Sequence, residues 1–195
     1  MTIAEIKKHL LKFRIGIAGA GGLGSNCAAA LARSGVGTLV IADFDIVEEL
    51  NLNRQYYFSD QIGMMKTDAI RDNIKRINPG ISVITHQIKL DKINLCEIFT
   101  GCNIIIEAFD HAAMKEMLIE TVQTKMPWIP LIVGSGMAGW GNTNDLKCRK
   151  IDETLYVCGD ESSEVSDNLP PLAPRVGIVA NMEANLAIEI LMNIK

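Results

Sequence analysis

The sequence predicts a doubly wound α/β domain, a mostly parallel sheet with an antiparallel C-terminal extension, and three observations carry that expectation. Short apolar strands alternate with helical segments from Ile15 to Val133. That rhythm belongs to a parallel sheet covered by helices on both faces. Small residues, Gly19-Ala20-Gly21-Gly22-Leu23-Gly24, sit where the first strand turns into the first crossover helix. After Val133 the rhythm breaks into two short segments joined around Asp152-Glu153, the pattern of a hairpin.

Taken in order, Thr2–Phe13 reads as a helix: Thr2 and Glu5 fit a capping box, and Ile3, Ile6, Leu10 and Phe13 share one face. Ile15–Ala18 is a strand, Gly22–Ser34 a small-residue helix stopped by Gly35, and Thr38–Ala42 a strand ending in Asp43. The polar stretch Phe44–Gly63 is too long for an idle connection. Helix Lys66–Ile77 halts at Asn78-Pro79-Gly80. Strand Ser82–Gln87, helix Lys92–Phe99, strand Asn103–Ala108, helix Ala112–Lys125 and strand Trp128–Val133 follow. Leu146–Ile151 and Thr154–Cys158 form the antiparallel pair, and Gly159–Pro174 is a proline-bearing acidic loop. The last helix, Arg175–Ile194, places Val179, Met182, Leu186 and Ile190 on one face.

At 195 residues, 48% of them hydrophobic, the chain reads as one domain spanning 1–195 with a core that needs no staples. Its apolar runs are far shorter than the roughly 20 residues of a membrane span. The charged start MTIAEIKKHLLKF does not read as a signal peptide. Five cysteines (27, 96, 102, 148, 158) without a CxxC pair point to a reducing, cytoplasmic setting. Six acids between Asp152 and Asp167 turn a body of +2 into a chain of −4. No basic cluster suggests a nucleic-acid surface.

The glycine cluster lets the backbone turn tightly and approach a phosphate, while the helix start offers free N–H groups and a positive dipole end. Asp43, 24 residues after Gly19, stands where a carboxylate accepts from a ribose hydroxyl. Together these form a Rossmann-like dinucleotide fingerprint, with NAD as the default ligand; the alternative is glycines serving packing alone. Arg54 and Lys66 argue for a different nucleotide. Lying past the carboxyl edge of the sheet, they are spaced to flank one anion, a fork and a point charge. A triphosphate with a leaving pyrophosphate needs two such cations; a redox cofactor does not. The competing reading is solvated surface charge. Asp110 closes the fourth strand, placed either to hold Mg²⁺ on phosphate oxygens or to cap the following helix.

In combination, GAGGLG, the segment from Asp43 and Asp45 through Asn51, Arg54 and Gln55, Lys66, and Phe109-Asp110 resemble the nucleotide-binding domain of the ubiquitin-activating-enzyme-like superfamily, the ThiF/MoeB/HesA group. The likeness runs from about residue 10 to the end, and Asn168–Ala184 resembles the short form of the ThiF branch. The resemblance implies ATP-dependent adenylylation of the C-terminal Gly-Gly carboxylate of a small ubiquitin-like sulfur carrier, ThiS in the thiamin branch, and a homodimer. It implies that Asp43 holds the ribose and that the amides of Gly21, Gly22, Leu23 and Gly24 meet the phosphates. Arg54 and Lys66 fall to the β/γ-phosphates, Asp110 to Mg²⁺, and Asn51 and Gln55 to the lining of the site.

The chain also departs from that group. Without CxxC pairs no structural zinc is expected. The arginine that relatives send into a partner's site from a helix before the first strand has only Arg14 as a substitute. The acidic loop, which carries a cysteine in some relatives, has only Cys158 at its border; Cys27, Cys96 and Cys102 read as core. His111 reads as solvent-facing or capping, and the acidic loop as a solvated tip or a lid over the carrier's tail. An NAD(P)-dependent oxidoreductase and an inactive nucleotide-binding adaptor stand as the alternative functions.

Overall fold

The structure, a computed structural model, describes residues 1–194. Seven strands, β1 (Arg14–Ala18), β2 (Thr38–Asp43), β3 (Ser82–Gln87), β4 (Ile104–Glu107), β5 (Leu131–Gly134), β6 (Lys147–Lys150) and β7 (Leu155–Gly159), form one sheet in the order β3-β2-β1-β4-β5-β7-β6. Every neighbouring pair is parallel except β6–β7. The chain therefore winds outward from β1 in one direction and from β4 in the other. The gap between the carboxyl ends of those two strands is where open α/β sheets take their ligands.

Alternation along the strands divides the core. Ile15, Ile17, Leu39, Ile41, Ile104 and Ile106 pack towards α2 (Gly22–Ser34), α3 (Lys66–Ile77) and α6 (Ala173–Met192). Val40, Ala42, Ile105, Leu131 and Val133 face α4 (Asn94–Ile98) and α5 (Ala112–Lys125). The bounds expected for α2, α3, β3 and α5 agree with the structure.

Four elements depart from expectation by more than one residue at an end. α1 (Ile3–Leu10) has the expected capping box: the Glu5 amide donates to Thr2 Oγ1 (3.2 Å) and the Thr2 amide to Glu5 Oε2 (2.7 Å). It stops three residues early, because the chain must turn at Leu11-Lys12 to enter β1. α4 begins at Asn94 rather than Lys92, since Asp91 takes the amides of Ile93 and Asn94 and holds the preceding residues in a turn. β5 begins at Leu131 rather than Trp128. Pro127 and Pro130 offer no N–H to a ladder, and Trp128 is exposed.

α6 begins at Ala173, with Pro174 in its first turn, and buries Val176, Val179, Ala180, Glu183, Ala184, Ala187 and Leu191. Met182, Leu186 and Ile190 of the expected face lie half-buried on its flank. α6 packs chiefly on α2, and α2 is itself made of small residues. The close approach therefore selects alanines for the contact, and the large side chains are displaced to its rim.

Candidate functional site

β1 ends in a turn that only glycine serves. Gly19 has φ +101°, and a Cβ there would lie 2.8 Å from the Ala108 carbonyl oxygen. A Cβ on Gly24 would lie 1.9 Å from the Gly19 carbonyl oxygen, so the first turn of α2 closes against the loop that precedes it. Gly24→Ala is expected to destabilise the fold by on the order of 2 kcal/mol and to weaken ATP binding, measured by thermal melting and by ATP titration. Wild-type melting would refute the close contact. Gly21 caps α2 without a side chain, leaving the first-turn amides to an outside partner.

Asp43 fixes this loop from β2. Its Oδ2 accepts from the Ala20 amide (2.7 Å) and its Oδ1 from the Asp45 amide (2.8 Å). Burial raises its carboxyl above the ordinary value, while those two amides and Lys66 pull the other way. Asp45 takes the Lys66 ammonium at 2.9 Å, and that lysine side chain is only 8% exposed. A continuous polar chain thus runs from Lys66 through Asp45 and Asp43 to the glycine loop.

The stretch from residue 44 to 63 is an anchored wrap containing two short 3₁₀ turns, Glu49–Asn51 and Ser59–Gln61. Ser25 Oγ accepts from the Tyr56 amide (2.9 Å), Asn26 donates to the Arg54 carbonyl (2.9 Å), and the Tyr57 hydroxyl donates to the Ala20 carbonyl (2.7 Å). These bonds hold Arg54 across the start of α2, where its Cγ and Cδ come within 3.8 Å of the space a Cβ on Gly22 would fill. The guanidinium donates to Leu50 O and Asn53 Oδ1. Gln55 is buried beside Gly21, and its Oε1 has no hydrogen-bond partner. Asn51 spends its Oδ1 on the Glu48 amide (3.1 Å), and Leu23 turns its side chain into the core.

Across the crevice, Asp110 follows β4 with its carboxylate 91% exposed and nothing closer than His111 Nε2 at 3.9 Å. It does not cap α5. The residue at that cap is His111, which also makes no capping bond and faces solvent. Beside it lies a group that sequence reasoning missed: Lys115 of α5 pairs with the buried Glu107 and donates to the Gly134 carbonyl (2.8 Å). The signal available was the single acid in the otherwise apolar run Ile104-Ile105-Ile106-Glu107.

Beyond β5 and β7 the same edge carries a pocket of about 440 Å³, lined by Trp140, Lys147, Ser163, Leu169 and Arg175 among others. The acidic loop contributes to its wall and is anchored at Asp160 and Glu161, while Glu164, Ser166, Asp167 and Asn168 are exposed as a solvated tip. Arg175 donates to Asp160 Oδ2 and to the Gly141 carbonyl, with both ionic side chains buried. Burial raises the Asp160 carboxyl, but the amides of Ser163 and Ser162, together with Arg175, outweigh it and hold it well below the carboxylate range. Glu161 is gripped by Arg149 through two bonds.

Cys96 does not lie where the sequence led us to expect. Arg14 starts β1, at the opposite edge of the sheet from this site, with its Nε buried beside Cys102. Cys96 is half-buried rather than core, whereas Cys27 and Cys102 are buried. Among the described residues no three His, Cys, Asp or Glu side chains are grouped to hold a metal ion, and no helix is long and apolar enough to cross a membrane. Asp110 is nevertheless a fitting Mg²⁺ ligand, since that ion takes one or two carboxylates and completes its shell with phosphates and water.

Residues 2–195 match the ThiF family. The adenylyltransferase and sulfurtransferase MOCS3 of Caenorhabditis briggsae is 35% identical over 185 residues, 91% of this chain and 45% of that protein. The molybdopterin-synthase adenylyltransferase of Salmonella typhimurium is 30% identical over 96% of this chain and 76% of its own length. The chain thus spans less than half of the first relative and three quarters of the second. The E. coli tRNA N6-threonylcarbamoyladenosine dehydratase TcdA, solved in complex with ATP, superposes with a TM-score of 0.86 at 21% identity, over 96% of this chain and 89% of its own.

Proposed function

The chain belongs to the ThiF family, and on that footing we propose that it adenylylates the C-terminal Gly-Gly carboxylate of a ubiquitin-like sulfur carrier with ATP, releasing pyrophosphate. The observation that carries this reading is the convergence of two cations on one glycine loop, Lys66 through Asp45 and Asp43, and Arg54 across Gly22. The names of the two relatives, both adenylyltransferases, support it.

In this reading the free amides of the α2 first turn meet phosphate oxygens, and Asp43 accepts from the ribose. The orphaned Gln55 Oε1 gains a donor. Asp110 would hold Mg²⁺, which supplies further neutralisation of phosphate charge when bound. The carrier's carboxylate oxygen attacks the α-phosphorus, the bond to the bridging oxygen breaks, and pyrophosphate leaves with its charge met by Arg54 and Lys66. The protein's share is positioning and electrostatics, with no covalent step of its own. The pocket beyond β5 and β7 lies on the same edge and suits the incoming tail. The closing stretch Asn168–Ala184 favours ThiS, and so thiamin biosynthesis, as the branch; the active unit is a homodimer in the cytoplasm.

Carrier-dependent exchange of labelled pyrophosphate into ATP, with Mg²⁺, is the test. Exchange with ThiS and little with a molybdopterin-synthase carrier is the expected result. ATP binding without exchange on either carrier would leave the inactive adaptor, and binding of NADH in place of ATP the oxidoreductase.

A further inference from the structure

The hairpin at the far edge of the sheet brings two thiols face to face. Cys148 of β6 and Cys158 of β7 are directly opposed in register, and their Sγ atoms are 2.8 Å apart. The Ile151 amide donates to the Leu155 carbonyl at 2.8 Å, which makes that opposed pair a hydrogen-bonded one. Pairing alternates along an antiparallel ladder, so Cys148 and Cys158 form a non-hydrogen-bonded pair, with Cα atoms about 4.5 Å apart. That spacing lies inside the range a disulfide accepts, about 4.4–6.8 Å. The two thiols also differ in access: Cys148 is exposed and Cys158 fully buried.

We infer that Cys148 and Cys158 form a reversible dithiol–disulfide pair, an oxidation site with Cys148 as the attacking thiol and Cys158 as the resolving one. The hydrogen bond with Cys158 holds the Cys148 thiol below its ordinary value, against burial and the nearby Glu189 carboxylate. The same bond, then burial, the Cys148 charge, Glu183 and Cys27 push Cys158 up. A low-molecular-weight disulfide such as oxidised glutathione is the oxidant. The Cys148 thiolate attacks one of its sulfurs and expels a glutathione thiolate. Cys158 then gives up its proton and attacks the Cys148 sulfur, expelling the second glutathione. Two protein thiols are oxidised and one glutathione disulfide is reduced to two thiols.

The bond would reach beyond the hairpin. β7 runs directly into Gly159 and Asp160, and Arg149, next to Cys148, grips Glu161. Bridging the strands therefore staples the start of the loop that walls the pocket.

The full chain is titrated with glutathione redox buffers, and free thiols, intact mass and cross-linked peptides are followed. Two of the five thiols are expected to disappear together, with the mass lower by two hydrogens, one peptide linking 148 to 158, and full recovery on reduction. Cys148→Ser, at an exposed position, is expected to retain Cys158 as an unreactive thiol, and Cys158→Ala to stop at a glutathione adduct on Cys148. A wild-type protein that stops at that adduct, links two chains, or bridges another cysteine pair overturns the inference.

Discussion

Asp110→Ala is expected to lower carrier-dependent pyrophosphate exchange by on the order of 10²–10³-fold with no change in melting temperature. The two halves of that expectation have separate grounds. The carboxylate is 91% exposed, caps no helix, and has only a distant His111 beside it, so the fold gains nothing from it. In the proposed function it serves a ligand in the crevice, as the carboxylate opposite the glycine loop. Arg54→Ala is expected to fall within the same range. Here a modest loss of stability accompanies it, since the side chain lies across Gly22 and donates to Leu50 and Asn53. Near-wild-type exchange in either variant removes that residue from the proposed chemistry.

Glu183→Gln is expected to stabilise the protein at neutral pH. Glu183 lies on the buried face of α6 with 0% exposure, and neither carboxylate oxygen has a hydrogen-bond partner. Desolvation, then the nearby Glu107, push its carboxyl well above the ordinary 4.5, against the pull of Lys115. A raised folded-state value means that the folded protein keeps a proton which the unfolded chain sheds. Stability is therefore undiminished below about pH 4.5 and falls as pH rises from there towards the folded-state value. The glutamine variant escapes that decline. Its advantage is expected to be near zero at about pH 4 and to grow steadily towards pH 7, since each tenfold difference in proton affinity between the folded and unfolded chain is worth about 1.4 kcal/mol. Denaturant unfolding at the two pH values measures it; an advantage equal at both would mean that Glu183 is not a buried neutral acid.

The sequence made legible what depends on spacing and backbone freedom. The glycine loop, Asp43 in register, the start of α3 at Lys66 and the hairpin follow from residue types whose conformational rules act locally. What it hid depends on which surfaces meet. The buried face of α6 is set by the small-residue surface of α2, and periodicity within α6 alone selected the larger Met182, Leu186 and Ile190. Asp45 looked like one more polar residue near the nucleotide, and the structure places it on Lys66. Lys115 sits on the surface turn of a helix and gains its place only because β4 brings Glu107 beneath it. Two of the six acidic residues read by composition, Asp160 and Glu161, became ion-paired because Arg175 and Arg149 arrive from elsewhere in the chain.

The terminal strand β6 is exposed at all four of its residues, Lys147, Cys148, Arg149 and Lys150, with one side of its backbone unpaired. An open ladder of that kind is a template for another chain. With Arg149 paired to Glu161, Lys147 and Lys150 still make self-pairing there a meeting of like charges, so two copies repel where their sheets would otherwise fuse. The edge thus acts as a guard against aggregation, strongest at low salt and weakened as added ions screen it.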